Sequence, residues 1–195
     1  MSIVGDFSEP LRGPGWLPRF GKVTSPARHR PTAVDETNIS SSRANFNSSH
    51  RSTQPVMINI EPLKTVFGGD LVLPGDPDYE AALRRWSITA VRPAGLVAYP
   101  KTPEDVSRAI KFAIEHKYDL AVRGGGHSQA GASSSDGGVV IDLSRYFGGC
   151  EVTERDGQPV ANVGGGCIWK TVDEAAIQHG LATVGGTVNH TGCGG

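Results

Sequence analysis

Read for its hydrophobic and polar positions, the 195-residue chain changes character near residue 55. Up to that point Pro, Ser, Arg, Asn and Gly dominate without a sustained period, and residues 38–52 are almost wholly polar. Such a stretch buries too little apolar surface to offset the entropy of ordering, so residues 1–55 are expected to form a disordered extension. Residues 56–90 read as a lead-in: a Pro/Gly turn, a short helix over 77–85, and then Trp86 as an anchor in the core. The periodic signals lie in residues 91–195, which are taken as one domain.

Within that domain residues 97–99 predict a short strand. Thr102 as N-cap, Pro103 at the first helical position and Asp105 in a Thr-x-x-Asp spacing predict a helix start. Val106, Ala109, Ile110, Ala113 and Ile114 then recur at helical spacing and define a buried face. A strand over 119–123, a small-residue loop and a second apolar strand over 139–143 follow, so the order is β-α-β-loop-β. Residues 151–163 read as a hairpin turning at Asp156-Gly157. Gly164-Gly165-Gly166 lead into a helix over 168–179 with Ile168, Val172, Ala175 and Ala176 on one face, and Gly180 ends it. Residues 181–195 predict a strand and then a glycine-rich loop. The fold class is α+β.

Composition narrows the function. A formal net charge of −1 offers no electrostatic reason to expect nucleic acid or an anionic membrane as partner. Of the 26 glycines, 18 lie after residue 120, as a site of close backbone approach to a ligand would require. Cys150, Cys167 and Cys193 lack Cys-x-x-Cys spacing, and the histidines form no ligand pair with them, so three reduced thiols and no metal are expected. The N-terminus lacks the basic and apolar regions of a signal peptide, and no run approaches the ~20 apolar residues of a membrane span. A cytoplasmic protein is the resulting expectation.

The densest chemistry lies at Arg123-Gly124-Gly125-Gly126-His127-Ser128. Consecutive glycines let backbone N–H groups form a concavity that suits a phosphate or pyrophosphate. His127 stands at its edge, and Ser128, Ser133 and Ser134 supply hydroxyls beyond it, with Gly131 in the turn. A dinucleotide fingerprint Gly-x-Gly-x-x-Gly is half met by Gly124 and Gly126, but Gln129 occupies the third glycine's place and no helix follows. Taken alone, the loop reads equally as a phosphate cradle or as a glycine-rich turn carrying an exposed histidine.

Three blocks in order go further: Arg123 to Ser128, Asp136-Gly137-Gly138-Val139-Val140-Ile141-Asp142-Leu143-Ser144, and Gly185-Gly186-Thr187-Val188-Asn189-His190-Thr191-Gly192-Cys193-Gly194-Gly195. Together they resemble the FAD-binding domain of the vanillyl-alcohol oxidase and p-cresol methylhydroxylase (PCMH) superfamily, in its berberine-bridge-like and 6-hydroxynicotine oxidase branch. The resemblance covers about residues 86–195. It implies a PCMH-type FAD-binding domain of two α/β subdomains, cut short at the C-terminal end, with FAD attached covalently through His127. A second, cysteine link found in some relatives falls here on Val188, so attachment through His127 alone is implied, with Cys193 a remote alternative.

By the same resemblance Arg123, Gly124, Gly125, Gly126, His127, Ser128, Gly131, Ser133 and Ser134 form one side of the cofactor site. Gly186, Thr187, Val188, Thr191, Gly192 and Gly194 form the other. Arg123 reads as a carboxylate partner or, the reading favoured here, as a neighbour of the pyrophosphate, and His190 equally as a flavin-edge group or as a structural hydrogen bond. Gly164 to Gly166 are assigned to the approach to the helix rather than to a second phosphate site. The implied activity moves a hydride from a C–H next to oxygen or nitrogen of a small molecule to the flavin, with O₂ as acceptor. Substrate-facing catalytic residues are expected beyond Gly195. The competing expectations are a truncated, inactive flavin-binding remnant and a small phosphate-binding module without redox chemistry.

Overall fold

The computed structural model describes residues 58–194, and the extension expected over residues 1–55 lies outside them. The described part opens with a one-turn helix α1 (Glu61–Lys64), an edge strand β1 (Asp70–Val72) and a second one-turn helix α2 (Tyr79–Ala82). Then come β2 (Leu96–Tyr99), α3 (Pro103–Glu115), β3 (Leu120–Arg123) and β4 (Val139–Asp142). The sheet order is β1-β2-β4-β3, with β4 parallel to both neighbours and β1 antiparallel at one edge. β4 therefore slots between β2 and β3, which α3 connects.

The strands are short apolar runs because both faces of the sheet are covered. Leu96, Ala98, Val139 and Ile141 pack under α1 and α3 against Leu63, Ala109 and Phe112. Val97, Tyr99, Ala121 and Val140 meet α2 and its flanks through Tyr79, Ala82 and Leu83 on the other side. α3 starts where the sequence places it. Thr102 accepts from the Asp105 N–H, and the Asp105 side chain accepts in return from the Thr102 N–H, a complete capping box. The buried Asp105 carboxylate also accepts from Gly68 N and Lys101 N, which ties the helix start to the segment before β1.

The second layer is a hairpin of β5 (Cys150–Arg155) and β6 (Gln158–Val163), followed by α4 (Trp169–Ile177). Asp156 and Gly157 both have positive φ, 54° and 73°, the two-residue turn expected from the Asp-Gly dipeptide. Gly180, at φ 68°, closes α4 with the paired bonds Leu181 N to Ala176 O and Gly180 N to Ile177 O. Among the described residues no helix is long and apolar enough to cross a membrane.

Three expectations are corrected. Trp86 is no core anchor: it is 55% exposed, and the anchoring role falls to Tyr79 and Leu83. On α3 the buried face is turned toward Phe112, leaving Ile114 70% exposed, because the capping box draws Asp105 inward and rotates the stripe with it. The strand expected after residue 181 is replaced by a loop that, among the described residues, pairs through the Ile168–Gly192 bridge.

Candidate functional site

β3 and β4 run parallel, so the turns that follow them leave the sheet on the same edge, where open α/β sheets place their ligands. Three glycine-rich turns from separate parts of the chain meet there. A Cβ added to Gly125 would lie 2.5 Å from Gly192 N, and one on Gly192 would lie 2.7 Å from Gly125 N. Cβ atoms on Gly124 and Gly194 would lie 2.7 Å and 2.8 Å from the same oxygen, that of Gly165. No side chain fits between these backbones. That contact, rather than backbone conformation, is what demands glycine at positions 124, 125, 192 and 194.

The junction walls a cleft of about 490 Å³. Gly124, Gly125, Gly126, His127, Ser128 and Ser133 line one side, and Thr191, Gly192 and Gly194 the other. All nine are residues expected from the sequence. Val122, Ala132, Leu143 and Gly165 complete the wall. Strand alternation could have found Val122 and Leu143, since they lie opposite in parity to Arg123 and Asp142. Gly165 was assigned to the helix approach, and only its contact with Gly124 and Gly194 gives it a place at the cleft.

The same alternation sends Arg123 elsewhere. Arg123 and Asp142 are directly paired across β3 and β4, and the guanidinium donates through Nη1 to the fully buried Asp142 Oδ2. Arg123 is thus a carboxylate partner behind the glycine turn, off the cleft wall. Arg85 lies beside it and donates through Nε and Nη2 to Ser133 O at 3.1 and 2.8 Å. Burial, and after it the repulsion of Arg123, holds Arg85 below the usual arginine range.

His127 stands half-buried at the mouth of the cleft. Its Nε2 is 3.2 Å from His190 Nδ1, and Trp86 stacks on its ring at a centroid distance of 4.3 Å. Both neighbours come from outside the Arg123 to Ser128 block, and the sequence reading had given Trp86 to the core rather than to His127. Ser128 Oγ accepts from Ala132 N at 3.1 Å, and Gly131 takes φ 81° in the same turn. The hydroxyls of Ser133 and Ser134 are buried without any partner, as is Arg123 Nε. Thr183 Oγ1, which is not on the cleft wall, is the fourth such atom among the described residues, and orphaned buried polar groups of this kind are rare.

Gly186, Thr187 and Val188 do not reach the cleft wall. The Gly185-Gly186 backbone packs on the Trp169 ring instead, where a Cβ on Gly186 would lie 2.8 Å from Trp169 Nε1. The first N–H groups of α4 donate to carbonyls of the adjoining loop, Trp169 N to Thr191 O and Lys170 N to Asn189 O. Those two N–H groups are therefore already engaged within the protein. Cys193 is not on the cleft wall, and burial, then the neighbouring Cys167, pushes its thiol up to about 11.

A glycine-walled cleft at the carboxyl edge of a mixed sheet, with a histidine at its mouth, defines a domain that binds a nucleotide cofactor. The chain belongs to the FAD binding domain family, whose model matches residues 94–195. It is 38% identical over 141 residues to the FAD-linked oxidoreductase pgmH of Aspergillus terreus, covering 70% of this chain and 28% of that protein. The crystal structure of 6-hydroxy-D-nicotine oxidase from Arthrobacter nicotinovorans superposes with a TM-score of 0.61 at 28% identity, covering 68% of this chain and 28% of that one. Glucooligosaccharide oxidase from Acremonium strictum, whose FAD is 6-S-cysteinyl and 8α-N1-histidyl, shares the fold with a TM-score of 0.60 at 21% identity, again covering 68% and 28%. The chain spans about 28% of the length of these relatives. The PCMH-type α+β fold and the branch that the sequence blocks indicated both hold.

Proposed function

We propose that the cleft holds FAD, joined covalently through His127, and that the protein oxidises a small molecule at a C–H next to oxygen or nitrogen with O₂ as the acceptor. The observation that carries this reading is the unpartnered Ser133 hydroxyl on the cleft wall, buried beside a glycine floor that excludes side chains. Hydroxyl and backbone donors of that kind fit a pyrophosphate, and an empty hydrogen-bonding capacity is costly unless a ligand fills it. Bound flavin supplies the acceptor for a hydride equivalent.

The chain's own residues then divide the work. Gly124, Gly125 and Gly126 bring backbone N–H groups against the cofactor, and Ser128, Ser133 and Ser134, in the turn held by Gly131, donate to its phosphates. Arg123 and Arg85 supply positive charge from behind that turn. Thr191, Gly192 and Gly194 form the facing wall, supported by Gly186, Thr187 and Val188. His127 is the tether and neither acid nor base. Its tethering role is supported by its half-exposed place at the cleft mouth, while the thiol of Cys193, facing Cys167, is poorly placed for a second link.

Acid precipitation of the purified protein tests the reading. Yellow flavin should remain in the pellet of the wild type and pass to the supernatant in His127→Ala. Acid-stable flavin in His127→Ala, or no flavin of any kind in the wild type, would overturn it.

A further inference from the structure

We propose that Trp86 is a positioning residue for His127, its indole holding the imidazole in the orientation from which the cofactor is attached. This rests on the attachment through His127 put forward above. Trp86 is 55% exposed, yet its ring lies on the imidazole with centroids 4.3 Å apart and planes 19° from parallel. Its backbone is fixed as well, since Trp86 N donates to Gly126 O at 3.1 Å. The residue is thus pinned to the turn that presents His127 and spends its exposed aromatic surface on that one ring.

His190 engages the imidazole as well: His127 Nε2 meets His190 Nδ1 at 3.2 Å, and the two rings lie 29° from parallel with centroids 5.0 Å apart, a wider stack than that of Trp86. Among the described residues His127 Nδ1 makes no hydrogen bond, so one face and one nitrogen are held while the second nitrogen stays free to form a bond. Attachment needs such a nitrogen. One C–H of the flavin 8α-methyl group and one imidazole N–H break, a C–N bond forms, and the two electrons and two protons released reach dioxygen as hydrogen peroxide. A free side chain would divide its time among three staggered rotamers. An aromatic pair of this geometry shifts such an equilibrium roughly three- to tenfold.

The test uses flavin-free full-length protein and its Trp86→Ala, Trp86→Leu, Trp86→Phe and His127→Ala variants. Each is mixed with FAD, and total bound flavin and acid-precipitable flavin are followed over time. In Trp86→Ala and Trp86→Leu attachment should slow roughly three- to tenfold with total bound flavin unchanged, while Trp86→Phe stays within about twofold of wild type. In flavin-free protein the His127 ring-proton resonances, displaced by the indole ring current, should move toward free-imidazole values in Trp86→Ala and Trp86→Leu. Wild-type attachment rates in both of these variants, with no acid-stable flavin in His127→Ala, would overturn the role of Trp86 alone. An equal loss of total flavin in all three Trp86 variants would reduce the residue to a cleft wall and overturn it too. Acid-stable flavin in His127→Ala would bring down the attachment reading and this inference with it.

Discussion

Replacing Asp142 with Asn exposes how the cleft is braced. Asp142 is completely buried and the Arg123 side chain only 19% exposed, so the pair sits where water screens little. Asp142 Oδ1 accepts from Ser144 N at 2.9 Å and Ser144 Oγ at 2.6 Å, while Oδ2 takes the guanidinium. An asparagine that keeps its oxygen on Ser144 must turn its NH₂ toward Arg123, setting donor against donor. The guanidinium of Arg85, already short of compensation, repels the freed charge of Arg123 further. Breaking one side of a buried pair costs about 3–5 kcal/mol, and the residual exposure of Arg123 favours the lower end. Set against a total stability of about 5–15 kcal/mol, that loss is large. In urea denaturation followed by circular dichroism, Asp142→Asn should lower the midpoint with an unchanged slope. The double variant Arg123→Met/Asp142→Leu should be more stable than Asp142→Asn, because it removes the uncompensated charge as well. A loss below about 1 kcal/mol for Asp142→Asn, or a double variant no better than the single one, would refute this account.

Asp70 gives a pH-dependent counterpart. The Tyr146 hydroxyl, then Arg145 and Lys101, lower its carboxyl from 3.8 to about 2. With an unfolded value of about 3.9, its contribution is present above that pH and lost as pH falls toward 2. Solvent at this partly exposed site limits it to about 1 kcal/mol. Asp70→Asn should therefore be less stable than wild type at pH 7 and equal to it near pH 2, as urea midpoints would show. A constant difference across that range would contradict the assignment. Lys117 ends α3 at φ 57°, with Tyr118 N bonding Ala113 O, in a position that favours glycine. Lys117→Gly should raise stability by about 0.5–1 kcal/mol in the same assay. Gly125→Ala forces a methyl group to 2.5 Å from Gly192 N. It should cost about 1–3 kcal/mol and reduce flavin retained on desalting, whereas an unchanged flavin content would show that the two turns separate freely.

The parts of the fold legible in the sequence are those decided within a few residues. The capping box at Thr102 and Asp105, the Asp156-Gly157 turn and the glycine closure of α4 each satisfy their own backbone groups locally, so their signals survive any tertiary setting. The apolar strands were legible because both sheet faces are covered. Trp86 was misread because an aromatic after a helix ordinarily enters the core, and what it meets instead is a ring 41 residues further along. The stretch after residue 181 carries apolar residues without partners in register, and it packs on Trp169 and across the start of α4 rather than joining a sheet. For the cleft, the glycine and serine block was readable as chemistry. The side on which Arg123 falls needed the β3–β4 register.

Three backbones in contact explain why the positive charge of the cleft has to come from side chains. α4 begins against the loop that carries the Thr191 to Gly194 wall, and a helix start would ordinarily offer N–H groups and a dipole to a phosphate. Here those N–H groups are spent on Asn189 O and Thr191 O, so the helix holds the Thr191 to Gly194 wall in place. That wall in turn presses Gly192 on Gly125 and Gly194 on Gly165, fixing the floor. With the helix so engaged, the charge beneath the serine turn is that of Arg85 and Arg123, and among the described residues Asp142 is the one carboxylate hydrogen-bonded to either. Two guanidiniums against one carboxylate leave a surplus positive charge under Ser133. An anionic cofactor would neutralise that surplus, and with it the orphaned hydroxyls of Ser133 and Ser134 would gain their acceptors.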